Sequence, residues 1–168
     1  VPRRVTRHLP RDAALGSWLM PVVPPMVTAA TGAALVAYAP SGPLRLVLLV
    51  GCYLAFVLAL VLSLPVIVAV VGRVRRLGPG AAASVPALLI VLGPLGQSVT
   101  AAPLLGEQAR GALPAYADAL VGLGVAYGWT VLALALAWLA VAGVLVARTA
   151  RSGLPFSLTW WAFIFPLG

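Results

Sequence analysis

The sequence is poor in charge and in the groups that carry enzymatic chemistry. Only 8% of its 168 residues are charged, and its three acids are Asp12, Glu107 and Asp118. Its one histidine, His8, lies in a basic N-terminal strip, and its one cysteine, Cys52, lies in an apolar run. The sequence has no Ser/His/Asp set, no HExxH zinc motif and no phosphate loop. We therefore predict that the chain is not an enzyme, needs no cofactor, binds no metal and has no internal disulfide.

Apolar residues dominate the remainder. The chain is 62% hydrophobic with a mean hydropathy of +1.10, far from the composition of soluble domains. Several apolar runs exceed the roughly 18 residues that suggest a transmembrane helix. The net charge of +8 comes from arginines in short clusters between these runs. It does not form the soluble basic face that nucleic-acid binding requires. The composition predicts an all-α integral membrane protein, a polytopic helical bundle in a lipid bilayer, and no nucleic-acid partner.

The apolar runs define four full transmembrane helices and a truncated fifth, which we interpret as one membrane domain. The last run is too short for the roughly 30 Å hydrocarbon core, so we expect the chain to be a fragment of a longer protein. The predicted spans are 17–39, 44–72, 84–105, 116–147 and 156–168.

The arginines predict how the chain is oriented. Nine of the eleven lie in segments on one side of the spans, and only Arg45 and Arg110 lie on the other. Short cytoplasmic loops carry an excess of Lys and Arg. We therefore predict a multi-pass protein of the cell membrane whose residues 1–16, 73–80 and 148–155 are cytoplasmic.

The odd-numbered spans are broken by several prolines and glycines, whereas the even-numbered spans are smoother, with one break at Pro65 in the second span. The first span carries Pro21, Pro24 and Pro25, and each proline removes a backbone donor. In hydrocarbon, the freed carbonyls need partners in the protein or in a water-filled cavity. The odd spans also hold most of the hydroxyls, whereas the even spans are nearly pure Leu, Val and Ala. This contrast predicts odd spans around a central path and even spans against lipid or a neighbouring subunit. The alternative is that the small residues only allow close helix packing.

The central turns of the spans contain no Asp, Glu, Lys or Arg. Intramembrane carboxylates usually mark proton relays and cation sites, so neither is predicted here. Interrupted helices can also direct backbone N–H groups at an anion. These features favour an anion as the transported solute. A proton- or cation-coupled transporter of another small solute, and a membrane subunit without transport activity, remain as alternatives.

Three motifs carry a family resemblance. They are WLMPVVPPMVTAATG at 18–32, LGPLGQS at 92–98 and WWAFIFPLG at 160–168. Together they resemble the tellurite-resistance/dicarboxylate transporter family, which includes fungal malate permeases, sulfite efflux pumps and the slow-type anion channels of plant guard cells. The resemblance implies a homotrimer of ten-helix subunits with cytoplasmic termini. It also implies one pore per subunit, lined by five kinked odd-numbered helices. This chain would then correspond to helices five to the start of nine.

The resemblance also implies site residues. A phenylalanine on the ninth helix plugs the pore in this family, and the third motif places it at Phe165, with Phe163 as the second choice. The two are about 200° apart around a helix, so they do not face the same way. The substrate stays open among C4-dicarboxylates such as malate, tellurite, sulfite, and halide or nitrate. The predicted pore-lining residues are Pro24, Pro25, Thr28, Thr31, Pro94, Gln97, Ser98 and Thr100.

Overall fold

A computed structural model of the chain describes residues 16–164. All the regular structure in this range is helical. The four α-helices are α1 (Val23–Val36), α2 (Pro43–Leu77), α3 (Leu92–Ala109) and α4 (Ala117–Arg151). Four 3₁₀ segments accompany them: Gly16–Val22, Ala82–Val91, Pro114–Tyr116 and Leu158–Phe163.

Four helical units are long and apolar enough to cross a membrane. The predicted all-α membrane bundle is thereby confirmed. The units are Gly16–Val36, Pro43–Leu77, Ala82–Ala109 and Pro114–Arg151. All of them except Pro43–Leu77 begin with the 3₁₀ segment that leads into the α-helix.

The even spans are continuous α-helices. α2 and α4 each have 35 residues, which corresponds to about 50 Å and exceeds the roughly 30 Å hydrocarbon core. Pro65 lies inside α2 without ending it, because a single proline removes one hydrogen bond of a long ladder. Large apolar side chains such as Leu54, Leu64 and Leu134 point outward and are exposed. These two helices therefore present apolar surfaces of the kind that lipid covers.

The odd spans change helix type partway along. The first span is 3₁₀ up to Val22 and becomes α1 at Val23, where Pro24 and Pro25 occupy the first turn. Proline is tolerated there because the first amides of a helix have no intrahelical acceptor. The third span changes in the same way at Leu92. No non-helical gap separates the two parts, so these breaks do not present the free N–H groups expected from an interrupted helix.

Small residues allow α3 and α4 to make the most extensive helix contact in the described chain. A Cβ atom built on Gly124 would lie 2.6 Å from the carbonyl oxygen of Ala102. One built on Gly106 would lie 2.8 Å from that of Leu120. Both distances are too short for a real side chain, so this contact depends on glycine, as close helix crossings in membranes often do.

The buried residues form two clusters. One surrounds the segment Ala82–Val91, in which Val85 to Val91 are all buried, and it includes Trp138 of α4. The other joins α1, α2 and α3 through residues such as Met26, Leu49 and Leu105. The third span is therefore the centre of the bundle.

The two arginines outside the main basic segments have local partners. The Arg45 guanidinium donates to the carbonyls of Ala37 at 3.2 Å and Ala39 at 2.7 Å, just after α1 ends. A cation is favourable at a helix C-terminus, where carbonyls lack partners and the dipole is negative. Arg110 pairs with Asp118 at 3.0 Å. Arg45 therefore caps the end of α1, and Arg110 is held in an ion pair.

Candidate functional site

The three longer 3₁₀ segments and the start of α1 line an open cavity of about 690 Å³. Its walls are mostly apolar, and among the described residues its polar side chains are the hydroxyls of Ser17 and Thr159. Within residues 16–164, no three His, Cys, Asp or Glu side chains are grouped as metal ligands would be. The cavity is lined by Ser17, Met20, Val23, Pro24, Ala87, Ile90, Leu158, Thr159, Trp161, Ala162 and Ile164.

One wall is fixed by hydroxyls that replace a missing backbone donor. In a 3₁₀ helix the carbonyl of Ala83 would accept from the amide of residue 86, but Pro86 has no N–H. The hydroxyls of Thr159 and Ser157 donate to the Ala83 carbonyl instead, at 2.6 and 3.1 Å. They also contact each other at 2.8 Å. These bonds join the start of the fifth span to the start of the third.

The helix α4, which is one of the even spans, supports a second wall of the cavity through a hydrogen bond. The indole Nε1–H of Trp138, in the middle of α4, donates to the carbonyl of Leu88 at 2.9 Å, and this bond is buried. Leu88 follows Ala87 and precedes Ile90, both of which line the cavity. A buried tryptophan usually needs such a partner for its N–H. Trp138 therefore connects an outward-facing helix to the cavity wall.

A glycine allows the first and third spans to meet at the cavity. A Cβ atom on Gly16 would overlap the carbonyl group of Ala87. The absence of a side chain at this position lets the two 3₁₀ segments touch through their backbones. The separation of these two cavity walls is therefore set by backbone contact.

One face of α1 is exposed along its length and begins at the cavity; we call this the open face of α1. Pro24 lines the cavity, and Thr28, Thr31 and Leu35 follow it at spacings of three or four residues, so all four share one face. All four are exposed. The hydroxyls of Thr28 and Thr31 donate to carbonyls one turn back, at 2.9 and 2.8 Å. This pattern is known to bend helices.

α3 has an open face of the same kind. Gly96, Thr100 and Glu107 are exposed and fall on one face of the helix, with Gln97 half-buried beside them. The Thr100 hydroxyl lies 3.4 Å from the carbonyl of Gly96. This polar face ends at Glu107, near the end of α3.

Two predicted pore residues lie on the packed faces of α3 instead. Pro94 and Ser98 are buried, and the Ser98 hydroxyl donates to the carbonyl of Leu95 at 2.7 Å. Pro25 is half-buried. The structure thus groups Thr28 and Thr31 on one open face and Gln97 and Thr100 on another, and it does not bring Pro94 or Ser98 to either.

The two candidate plug residues differ in what the structure describes. Phe163 is half-buried and packs against the cluster around Ala82–Val91. Its ring lies edge-on to that of Trp160, with centroids 5.9 Å apart. It is not among the residues that line the cavity. Phe165 lies outside the described residues.

Several residues of the site were not predicted as pore residues. Met20 lies one helical turn before Pro24, so the spacing of the first motif was a usable signal. Trp138 is a hydrogen-bond donor in an otherwise apolar stretch of a predicted span, which indicates a buried acceptor nearby. Nothing in the sequence pairs Ser157 with Ala83, because that contact joins residues 74 positions apart.

Replacing Trp138 with phenylalanine should lower the free energy of unfolding by about 1–3 kcal/mol, since the variant leaves the Leu88 carbonyl without its indole donor. Denaturant unfolding of the purified protein in detergent would measure this. Trp129→Phe is the matched control, because Trp129 is on the same helix but is 70% exposed. Equal effects of the two substitutions would show that the buried hydrogen bond does not stabilise the fold.

Comparison with known proteins connects this architecture to a family. The chain matches the voltage-dependent anion channel family model over residues 2–168. It is 28% identical to sulfite efflux pumps of Arthroderma benhamiae and Trichophyton rubrum and 29% identical to that of Arthroderma otae. Each match covers 98% of this chain and 45% of the relative, so the chain spans about half the length of the curated relatives it matches. No solved structure matches the chain. The matches confirm the resemblance drawn from the three motifs: the chain belongs to the voltage-dependent anion channel family.

Proposed function

We propose that this chain forms part of a path by which small anions cross the cytoplasmic membrane. The observation that carries the proposal is the open cavity lined by the 3₁₀ segments of three spans. The open face of α1 continues directly from it through Pro24. Membership of an anion channel family supports the choice of solute. The pore-lining set would then include Pro24, Thr28, Thr31, Gln97 and Thr100, while Pro25, Pro94 and Ser98 shape and pack the helices behind it.

The electrostatics of the described chain favour anions. No carboxylate lines the cavity, so nothing there repels a negative solute. Arginines cluster in the last turns of α2 and α4, the end we assign to the cytoplasm, and such clusters concentrate anions near a mouth. The Thr28 and Thr31 hydroxyls can exchange their backbone bonds for bonds to an anion, because a hydrogen bond to a charged acceptor is stronger than one to a neutral carbonyl.

We propose sulfite as the first substrate to test. The curated relatives are named sulfite efflux pumps, and the chain matches them over nearly its whole length. C4-dicarboxylates such as malate, tellurite, and halide or nitrate are the competing substrates in the same assay.

We propose Phe165 as the residue that plugs the path. In the sequence, Phe165 follows Trp161 and Ala162 by four and three residues. Both of those residues line the cavity. An aromatic ring in a narrow apolar neck leaves no room for a hydrated ion. We also propose that the full-length protein is a homotrimer, in which α2 and α4 meet lipid or a neighbouring subunit.

A proton-coupled carrier is the second candidate, because the curated relatives are named pumps. A carrier and a channel differ in one measurable property. Flux through a channel follows the electrochemical gradient of the anion alone, whereas a carrier stops when the proton gradient is removed.

The test is anion flux through the full-length protein in proteoliposomes and planar bilayers. Phe165→Ala should raise the flux several-fold, because it removes the ring from the neck. Phe163→Ala is the matched control, since Phe163 packs into the core and should leave the flux near that of the native protein. A correctly inserted Phe165→Ala variant with unchanged flux would rule out Phe165 as the plug. If, in addition, flux required a proton gradient, the carrier would replace the channel.

A further inference from the structure

Among the described residues, Glu107 is the one acid on the exposed faces of α1 and α3 that we assign to the proposed path. It lies seven residues after Thr100, which is two helical turns and about 10 Å further along the same face of α3. The opposite faces of α3 pack against α1 and α4 through buried residues such as Ala101, Ala102 and Leu105. Glu107 therefore lies where the open face of α3 reaches the end of the helix.

This end of α3 is opposite the main arginine clusters. Arg75 and Arg76 close α2 just before the segment Ala82–Val91 begins the third span. Glu107 lies at the other end of that span, two residues before α3 ends at Ala109. With the arginine clusters in the cytoplasm, Glu107 lies at the outer mouth of the path.

Glu107 is also unneutralised in the described part of the chain. Arg110 is only three residues away, but its guanidinium pairs with Asp118 at 3.0 Å. Arg45, the other cation at this end, donates to the carbonyls after α1. Within residues 16–164, Glu107 has no ion pair, and its side chain is exposed. Its negative charge therefore acts on solutes in front of it.

We propose that Glu107 is a flux-setting residue that makes the path rectify, slowing the influx of anions more than their efflux. This rests on the proposed anion path. A fixed negative charge lowers the anion concentration at its own mouth. When an applied voltage makes entry into the path rate-limiting, the inward anion current is proportional to the concentration at the outer mouth, which Glu107 lowers. The outward anion current at the opposite voltage is limited by entry at the cytoplasmic mouth, where Glu107 has little effect. One exposed charge acting over several ångströms of water should alter influx by about two- to threefold at low salt.

The test compares the inward and outward anion currents (influx and efflux) of the full-length protein in planar bilayers at equal and opposite applied voltages, in about 0.01 M and about 1 M salt. Glu107→Gln should raise influx about two- to threefold at the lower concentration and change efflux less. The effect should vanish at the higher concentration, because the screening length falls from about 30 Å to about 3 Å. Glu107→Asp keeps the charge and should behave like the native protein.

The double variant Arg110→Gln/Asp118→Asn is the control. It removes an acid from the same end of the molecule together with its ion-pair partner, so the net charge there does not change. Equal effects of Glu107→Gln and this double variant would overturn the inference, as would an effect of Glu107→Gln that does not depend on salt. If the native protein carries anions and Glu107→Gln does not change that flux, the inference is overturned but the proposed function is not. A native protein that carries no anion would overturn the proposed function as well.

Discussion

Introducing a carboxylate at Met20 should reduce anion flux at least about tenfold. Met20 lines the cavity, yet it is 58% exposed, so a glutamate of similar length fits without repacking. A charge about 5 Å from a passing anion at an effective dielectric of about 20 opposes it by about 3 kcal/mol. That energy corresponds to a more than hundredfold reduction in flux. Movement of the flexible glutamate side chain away from the anion makes the expected reduction smaller. The measurement is anion flux of the full-length Met20→Glu protein.

Two further variants at Met20 separate charge from shape. Met20→Gln has nearly the same size without the charge and should keep flux within about twofold of the native protein. Met20→Lys should retain flux and shift its half-saturation to lower anion concentration. The assay is run at about pH 8, well above the ordinary range in which a glutamate takes up a proton. Equal losses in the Met20→Glu and Met20→Gln variants would exclude the cavity from the anion path.

Replacing Gly124 with leucine should abolish the folded protein. Even the first side-chain atom would lie 2.6 Å from the Ala102 carbonyl oxygen and 2.8 Å from its carbon. Backbone atoms inside two packed helices cannot move aside, so α3 and α4 must separate. Overpacking a tolerant core costs about 1–3 kcal/mol, and a backbone clash at the most extensive helix contact should cost more. The readout is the amount of protein in the membrane, together with its elution from a sizing column in mild detergent.

Gly122 provides the control on the same helix. It is exposed, and a Cβ atom there would meet nothing within 4 Å. Gly122→Leu should therefore accumulate and elute like the native protein. Alanine makes the comparison sharper: Gly124→Ala should destabilise, whereas Gly122→Ala should stabilise by up to about 1 kcal/mol because alanine favours a helix over glycine. Normal accumulation of Gly124→Leu would show that this contact does not hold the bundle together.

The membrane architecture was predictable because hydropathy is a local property. Each span is recognised by its own composition, and long runs of Leu, Val and Ala such as α2 and α4 form helices in lipid whatever packs beside them. The effect of a proline on the backbone is also local, so the irregularity of the odd spans follows from Pro24, Pro25 and Pro86. What the prolines did not indicate is the form of that irregularity. The structure has gapless 3₁₀ segments in these spans, in place of interrupted helices with free amides.

The direction each side chain faces was less predictable. Ser98 and Thr100 are two residues apart, carry similar hydroxyls and were predicted to share a role. Ser98 is buried against the other helices, whereas Thr100 lies on the open face. Composition does not distinguish them, because both stand in the same apolar run. The difference arises from the rotation of α3, which the glycine contacts with α4 fix.

The sequence by itself determined that this chain crosses a membrane several times, which spans are irregular and which family it belongs to. These features are sums over neighbouring residues or patterns of motifs, so they need no knowledge of contacts. Only the tertiary structure decided where the cavity lies, that Trp138 and Thr159 support its walls, and that the face of α3 shared by Thr100 and Glu107 is left exposed. The partners in the supporting hydrogen bonds are 50 and 76 positions apart. They meet because helices pack through glycine and buried apolar surface, and that packing is a property of the whole bundle.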